Sequence, residues 1–211
     1  MKRRRRGAAA LAVALALIVA IALLQRWGMV TGLNRGLMTA AGQVRDTGAG
    51  AIATSVMRMA SSVGGTGGRL VLMAIAIIWL LVDRRGRDAL WLVVTVVGGT
   101  LLNLALKQLF AEPRPDLLPH LDIVHSYSFP SGHAAGNLIF FGALAMLARS
   151  RAGWVVATLC IVVIGVSRIW LGVHWPSDVV AGWIEGVGWL LFCAAWLNRP
   201  SSRGRRRARA S

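Results

Sequence analysis

Long apolar runs separated by short polar clusters organise this chain. The runs cover residues 7–24, 70–82, 89–106, 134–148, 154–171 and 179–197. A helix needs roughly 17 to 25 mainly apolar residues to cross a hydrocarbon core, and these runs match or approach that length. The pattern therefore predicts an all-α, polytopic membrane bundle of six transmembrane helices, with residues 1–211 forming one integral membrane domain. The first run follows Lys2-Arg3-Arg4-Arg5-Arg6, as a signal peptide would, but its apolar stretch is too long for one. It continues into Gln25-Arg26-Trp27 with no small-x-small cleavage site, so it reads as a retained anchor.

Residues 25–69 break the pattern. They carry five arginines against a single acidic residue, Asp46. A helix over 49–63 is expected to lie on the extracytoplasmic surface, because Arg58 sits in its middle and its length falls below the spanning range. Gly64-Gly65-Thr66-Gly67-Gly68 then reads as a flexible turn into the second span, without the lysine or serine that would make it a P-loop.

Charge orients the bundle. Sixteen of the 24 lysines and arginines fall at alternate ends of the runs: residues 1–6, Arg84, Arg85 and Arg87, Arg149 and Arg151, and the tail 199–211. Cytoplasmic loops carry such an excess, so both termini are expected in the cytoplasm. The other eight are Arg26, Arg35, Arg45, Arg58, Arg69, Lys107, Arg114 and Arg168, on or bordering the opposite side.

Composition agrees with a bilayer as solvent: 56% hydrophobic residues, 15% charged, mean hydropathy +0.61. The net charge of +16 sits at the ends of apolar runs rather than along a soluble face, which argues against nucleic acid as a partner and for membrane lipids. Cys160 and Cys193 lie inside apolar runs and read as reduced core residues, while Trp27, Trp154 and Trp175 fall near interfaces where indoles anchor helices.

Three polar segments stand at the outer ends of apolar helices, within residues 107–178. Lys107 precedes Arg114 and Pro115 by seven and eight positions. A point-charge ammonium and a planar guanidinium together suit phosphate oxygens, although Lys107 could equally mark a helix end at the headgroups. Phe129-Pro130-Ser131-Gly132-His133 comes just before an apolar helix. Ser131 is its expected N-cap, the helix-start amides face any anion placed there, and His133 can give or take a proton. Ser167-Arg168, His174 and Asp178 form the third. A carboxylate four positions from a histidine can fix its tautomer and free the other ring nitrogen for attack. Pro176 is expected at the first position of the last helix, leaving His174 outside it.

These segments resemble the three signature motifs of the type 2 phosphatidic acid phosphatase superfamily, Lys-x6-Arg-Pro, Pro-Ser-Gly-His and Ser-Arg-x5-His-x3-Asp. At about 5% usage per residue, either four-residue motif occurs by chance in on the order of one chain in a thousand. Trp170 and Trp175 stand where many relatives carry tyrosine. The resemblance implies His174 as nucleophile forming a phosphohistidine, Asp178 orienting its ring, and His133 protonating the leaving oxygen and then activating water. Lys107, Arg114, Arg168, the Ser131 side chain and the Gly132 amide would hold the phosphoryl oxygens. Fixed cations and helix-start dipoles can stabilise the transferring group without a metal or other cofactor. The implied substrate is a lipid mono- or diphosphate at the extracytoplasmic face of a bacterial cytoplasmic membrane. Undecaprenyl diphosphate is favoured over phosphatidic acid and phosphatidylglycerol phosphate by resemblance to small bacterial members with an outward-facing site.

Two rival readings follow from the same residues. A vanadate-dependent haloperoxidase would share the site, but those enzymes are soluble. A non-catalytic phospholipid binder or transporter would keep the pocket without turnover. His120 and His125, with Asp116 or Asp122, are expected in a solvated loop rather than as metal ligands. Glu185 and Asn103 are expected to face the bundle interior in a structural polar contact.

Overall fold

The computed structural model describes residues 2–195 and 197; the basic tail from Arg199 lies outside the described residues. These fold into eight helices: α1 Lys2–Arg26, α2 Thr31–Arg45, α3 Gly48–Gly64, α4 Thr66–Val82, α5 Gly86–Phe110, α6 Gly132–Ala148, α7 Arg151–Trp170 and α8 Pro176–Ala194. The chain is all-α over its described residues.

Helix α6 is the hub, packing against α5, α7 and α8 and touching α3 and α4. Small residues make this possible. A Cβ on Gly182 of α8 would lie 2.5 Å from the Ser131 carbonyl oxygen, so α8 rides directly on the start of α6. Close backbone approach through small residues is the usual way helices associate where lipid removes the hydrophobic drive. Leu92, Ile139, Phe140, Ala143 and Leu190 fill the space between α5, α6 and α8. The outer faces are apolar and uncovered, as with Leu17, Ile75, Ile78, Leu101 and Leu159. Such a surface belongs against acyl chains rather than water.

Helices α1, α5, α7 and α8 are each long and apolar enough to cross a bilayer. Helices α3 and α4 qualify only as a pair, bent by 57° at Gly65, and α6 has 17 residues. The expectation of six spans thus meets four clear ones, or five if the bent pair is one broken span. The shortfall of α6 has a physical reason: ten of its 17 residues are buried against other helices, so its length answers to protein neighbours as much as to bilayer thickness.

Two local readings change. The glycine-rich segment is not a flexible turn: Gly65 alone stands between α3 and α4, and Gly68 packs so close that its Cβ would be 2.3 Å from the Val63 carbonyl oxygen. Helix α2 lies in a segment that was expected to hold a helix only over 49–63. It buries the stripe Asn34, Met38 and Gly42 at intervals of four, packing against α7 and α8.

The ends of the bundle are distinct. Arg3 donates to the carbonyls of Leu197 (3.1 Å) and Ala194, joining the start of α1 to the end of α8. Arg85, in the α4–α5 turn, donates to Leu147 O at the end of α6 (3.2 Å). At the far end of α1, Gln25 reaches the first turn of α8. The basic turns thus share one end, and the ends of α5 and α7 meet the starts of α6 and α8 at the other.

Candidate active site

At that second end lies a cavity of about 560 Å³ whose lining includes Lys107, Arg114, Gly132, His133, Arg168 and His174. Four elements deliver these residues. Helix α5 runs past Leu106 to Phe110 and presents Lys107 on its last turn, where Ala111 ends the helix in a left-handed conformation (φ 49°). Ser131 caps α6 through its side chain, Arg168 comes from the last turn of α7, and Pro176 opens α8. His174 stands outside the helix, in the turn between α7 and α8.

His174 is 2% exposed and anchored on one nitrogen. Its Nδ1 lies 3.3 Å from Asp178 Oδ2 and 3.2 Å from Ser128 Oγ. Ser128 donates its own hydroxyl proton to Asp178 Oδ2 at 2.5 Å, leaving its oxygen free to accept. Asp178 is fully buried and also accepts from Trp175 N (2.9 Å) and Gln25 Nε2 (2.9 Å). An acceptor-only carboxylate so placed fixes the proton on Nδ1 and leaves Nε2 unprotonated, with its lone pair available as an acceptor. Consistent with that tautomer, Arg114 Nη1 points at Nε2 from 3.3 Å. Burial, then the charges of Arg114, Lys107 and Arg168, hold the His174 imidazole well below its ordinary pKa, so at neutral pH it is uncharged.

The cations are held by the loop over residues 111–131. Arg114 donates to Ser126 O (2.8 Å) and Val173 O (2.7 Å), and Lys107 donates to Ser128 O (3.1 Å) and Tyr127 O. Burial, then the charge of Arg168, lowers Arg114 to about 10, which still leaves it charged. Arg168 is nearly fully buried and bonds Asp122 and Ser61, while its Nε has no partner among the described residues. Burial of Asp122 opposes its ionisation, but the Arg168 bond and charge, with Ser61, outweigh this and keep its carboxyl below the ordinary range. Neither ring nitrogen of His133 is engaged by a described residue.

Most residues expected from sequence converge here, with three differences. Ser131 does not line the cavity: it is fully buried and its hydroxyl accepts from Ala134 N (3.5 Å), so it acts on the site through the helix start it caps. Asp122 lies in the loop with its side chain partly exposed, but it also pairs with Arg168. Ser128 and Gln25 were not foreseen: neither belongs to a motif, and Gln25 reaches Asp178 across 153 positions of sequence. Asn103 donates to Glu185 Oε2 (2.8 Å) in the interior, as expected of both. His120 contacts Pro115 O (2.7 Å), and no three His, Cys, Asp or Glu side chains gather as metal ligands among the described residues.

An all-α membrane bundle that gathers three cations and an anchored, uncharged histidine around one cavity defines a class of protein that handles lipid-borne phosphate. Residues 88–201 match the PAP2 superfamily. The chain is 34% identical over 142 residues to undecaprenyl-diphosphatase BcrC of Bacillus subtilis (strain 168), across 62% of this chain and 69% of that one. It is 32% identical over 120 residues to phosphatidylglycerophosphatase B of the same organism, across 52% and 57%. The fold is that of the crystal structure of the first transmembrane PAP2 type phosphatidylglycerolphosphate phosphatase from Bacillus subtilis, with a TM-score of 0.74, 24% identity, and coverage of 94% of this chain and 96% of that one. This chain belongs to the PAP2 superfamily and is an integral membrane lipid phosphatase.

Proposed function

We propose that this protein hydrolyses a lipid mono- or diphosphate, with undecaprenyl diphosphate favoured, at the extracytoplasmic face of a bacterial cytoplasmic membrane through a phosphohistidine on His174. The observation that carries the reading is the His174 ring, pinned at Nδ1 by Asp178 and Ser128, with unprotonated Nε2 facing Arg114 Nη1 in a cavity also lined by Lys107 and Arg168. His174 Nε2 attacks phosphorus, and the bond to the leaving oxygen breaks with its electron pair on that oxygen, which takes a proton from His133. Water then attacks phosphorus as His133 accepts a proton from it, the P–N bond breaks with its electron pair returning to His174 Nε2, and orthophosphate departs. Lys107, Arg114, Arg168 and the amides at the start of α6 hold the equatorial oxygens, where negative charge is present throughout. Asp178 and Ser128 are positioning residues. Fixed cations fill the place a metal would take, so turnover persists without one.

Six spans, α1 and α4 to α8, account for both termini at the cytoplasmic end, with α2 and α3 against the outer surface. The two basic turns, the start of α1 and the end of α8 at one end of the bundle, and the cavity at the other, support that orientation. The preference for the polyprenyl carrier rests on the similarity to BcrC. The test is phosphate release by purified protein in EDTA from undecaprenyl diphosphate, phosphatidic acid and phosphatidylglycerol phosphate, beside His174→Ala. Release that survives EDTA and is abolished in the variant is expected. Lipid binding with no release by folded wild-type protein would favour a non-catalytic binder or transporter.

A further inference from the structure

The motif residues occupy only part of the cavity wall. Another part comes from α3 and α4, through Arg58, Ser61, Ser62, Gly65, Thr66 and Arg69, all outside the span matched to the superfamily. Arg69 stands out there. It is only 9% exposed and lines the cavity, and its one hydrogen bond among the described residues is a 3.5 Å contact to Gly64 O. Among the described residues it has no carboxylate partner, unlike Arg168. Yet a place is kept for its guanidinium: a Cβ on Gly136 would lie 2.3 Å from Arg69 Nη1. A desolvated guanidinium without an anion is costly, and its planar fork matches phosphate oxygens.

Its position relative to the reacting groups gives it a task. Gly136 lies one turn beyond His133 on α6, and Gly65, four residues before Arg69, packs beside the His133 ring, where a Cβ would be 3.6 Å from Nε2. The anchoring contacts of His174 come instead from Arg114, Ser128 and Asp178. In an in-line displacement the leaving group departs opposite the nucleophile, which is the His133 side. We propose that Arg69 is the subsite for the second, lipid-attached phosphate of a lipid diphosphate and sets a preference for diphosphates over monophosphates. The inference rests on the phosphatase reading above and names its substrate class. For a diphosphate, the bond from the terminal phosphorus to the bridging oxygen breaks and its electron pair goes to the departing lipid monophosphate. Arg69 stabilises that anion. A monophosphate releases an alcohol instead, which offers Arg69 no phosphate.

The test compares kcat/KM on diacylglycerol diphosphate and on phosphatidic acid with the same acyl chains, for wild type, Arg69→Gln and Arg69→Lys. Arg69→Gln is expected to lose about tenfold or more on the diphosphate, the scale of a hydrogen-bonded charge, while staying within about twofold on the monophosphate. Arg69→Lys keeps the charge without the fork and should fall between. Equal losses on both lipids, or no loss on either, would overturn the subsite while leaving the phosphatase reading intact. If Arg69→Gln does not fold, an unchanged diphosphate-to-monophosphate ratio in Arg69→Lys would overturn it as well. Absence of phosphate release from both lipids and from undecaprenyl diphosphate by folded wild-type protein would defeat the phosphatase reading and this one together.

Discussion

The two ends of the bundle carry the same kind of residue for different reasons. At one end, Arg84, Arg87, Arg149 and Arg151 are solvent-facing and follow the excess of positive charge that orients membrane proteins. At the other, five of the eight remaining cations, Arg58, Arg69, Lys107, Arg114 and Arg168, converge on one cavity, and three of them are buried. A buried cation in a membrane protein is costly unless it meets a partner. The fold thus gathers five of the outer cations around one cavity, whereas Arg26, Arg35 and Arg45 stay outside it. Sorting cations by burial separates the two roles, where counting them cannot.

Breaking the site end should show this difference most sharply. His133→Ala removes the group proposed to move the proton, and kcat should fall by about 10² to 10⁴-fold, the usual contribution of general acid–base catalysis; turnover within tenfold of wild type would remove His133 from that role. Ser128→Ala deletes the hydroxyl that bridges His174 and Asp178 and should lower kcat/KM by roughly 10 to 100-fold, corresponding to about 1–3 kcal/mol for a buried polar partner left unsatisfied. Its pH profile distinguishes positioning from simple damage. In wild type the depressed His174 pKa means that the acid limb of kcat/KM lies below the ordinary histidine value of about 6.5. Activity is kept as pH falls through that range and is lost only at lower pH, when Nε2 takes a proton. A limb centred at or above 6.5 would contradict the burial argument.

The sequence carried the chemistry of the site better than its mechanics. The three motifs located Lys107, Arg114, His133, Arg168, His174 and Asp178, because each sits at, or in a loop next to, the end of an apolar run. Ser128 and Gln25 were illegible, since their importance comes from tertiary contacts with Asp178 and not from any local pattern. Ser131 was assigned to phosphate by analogy, but the helix it caps takes up its hydroxyl. Helix α2 was hidden by three glycines and two arginines, although Asn34, Met38 and Gly42 trace a buried helical stripe. The short α6 was found as an apolar run, but only its neighbours explain why 17 residues suffice.

Smaller effects sharpen the comparison. Asp122 pairs with Arg168, so phosphate binding there competes with a carboxylate. Asp122→Asn keeps the shape and removes the charge, and orthophosphate inhibition should tighten by about two- to fivefold, in line with a partly exposed ion pair. Weaker inhibition would mean that Asp122 organises Arg168 instead of competing for it. Least of all, Arg149→Gln at the end of the bundle away from the cavity should leave kcat and KM within about twofold of wild type, because exposed charges there touch no substrate. A loss comparable to that of Ser128→Ala would erase the distinction between the two ends.

The central claim is that His174 carries the phosphoryl group. Wild-type protein mixed briefly with undecaprenyl diphosphate in EDTA, quenched in alkali to preserve phosphohistidine and mapped by peptide mass spectrometry, should carry phosphate on His174 and on no other histidine. Turnover under the same conditions with no phosphorylated His174, or with phosphate on another residue, would contradict the account.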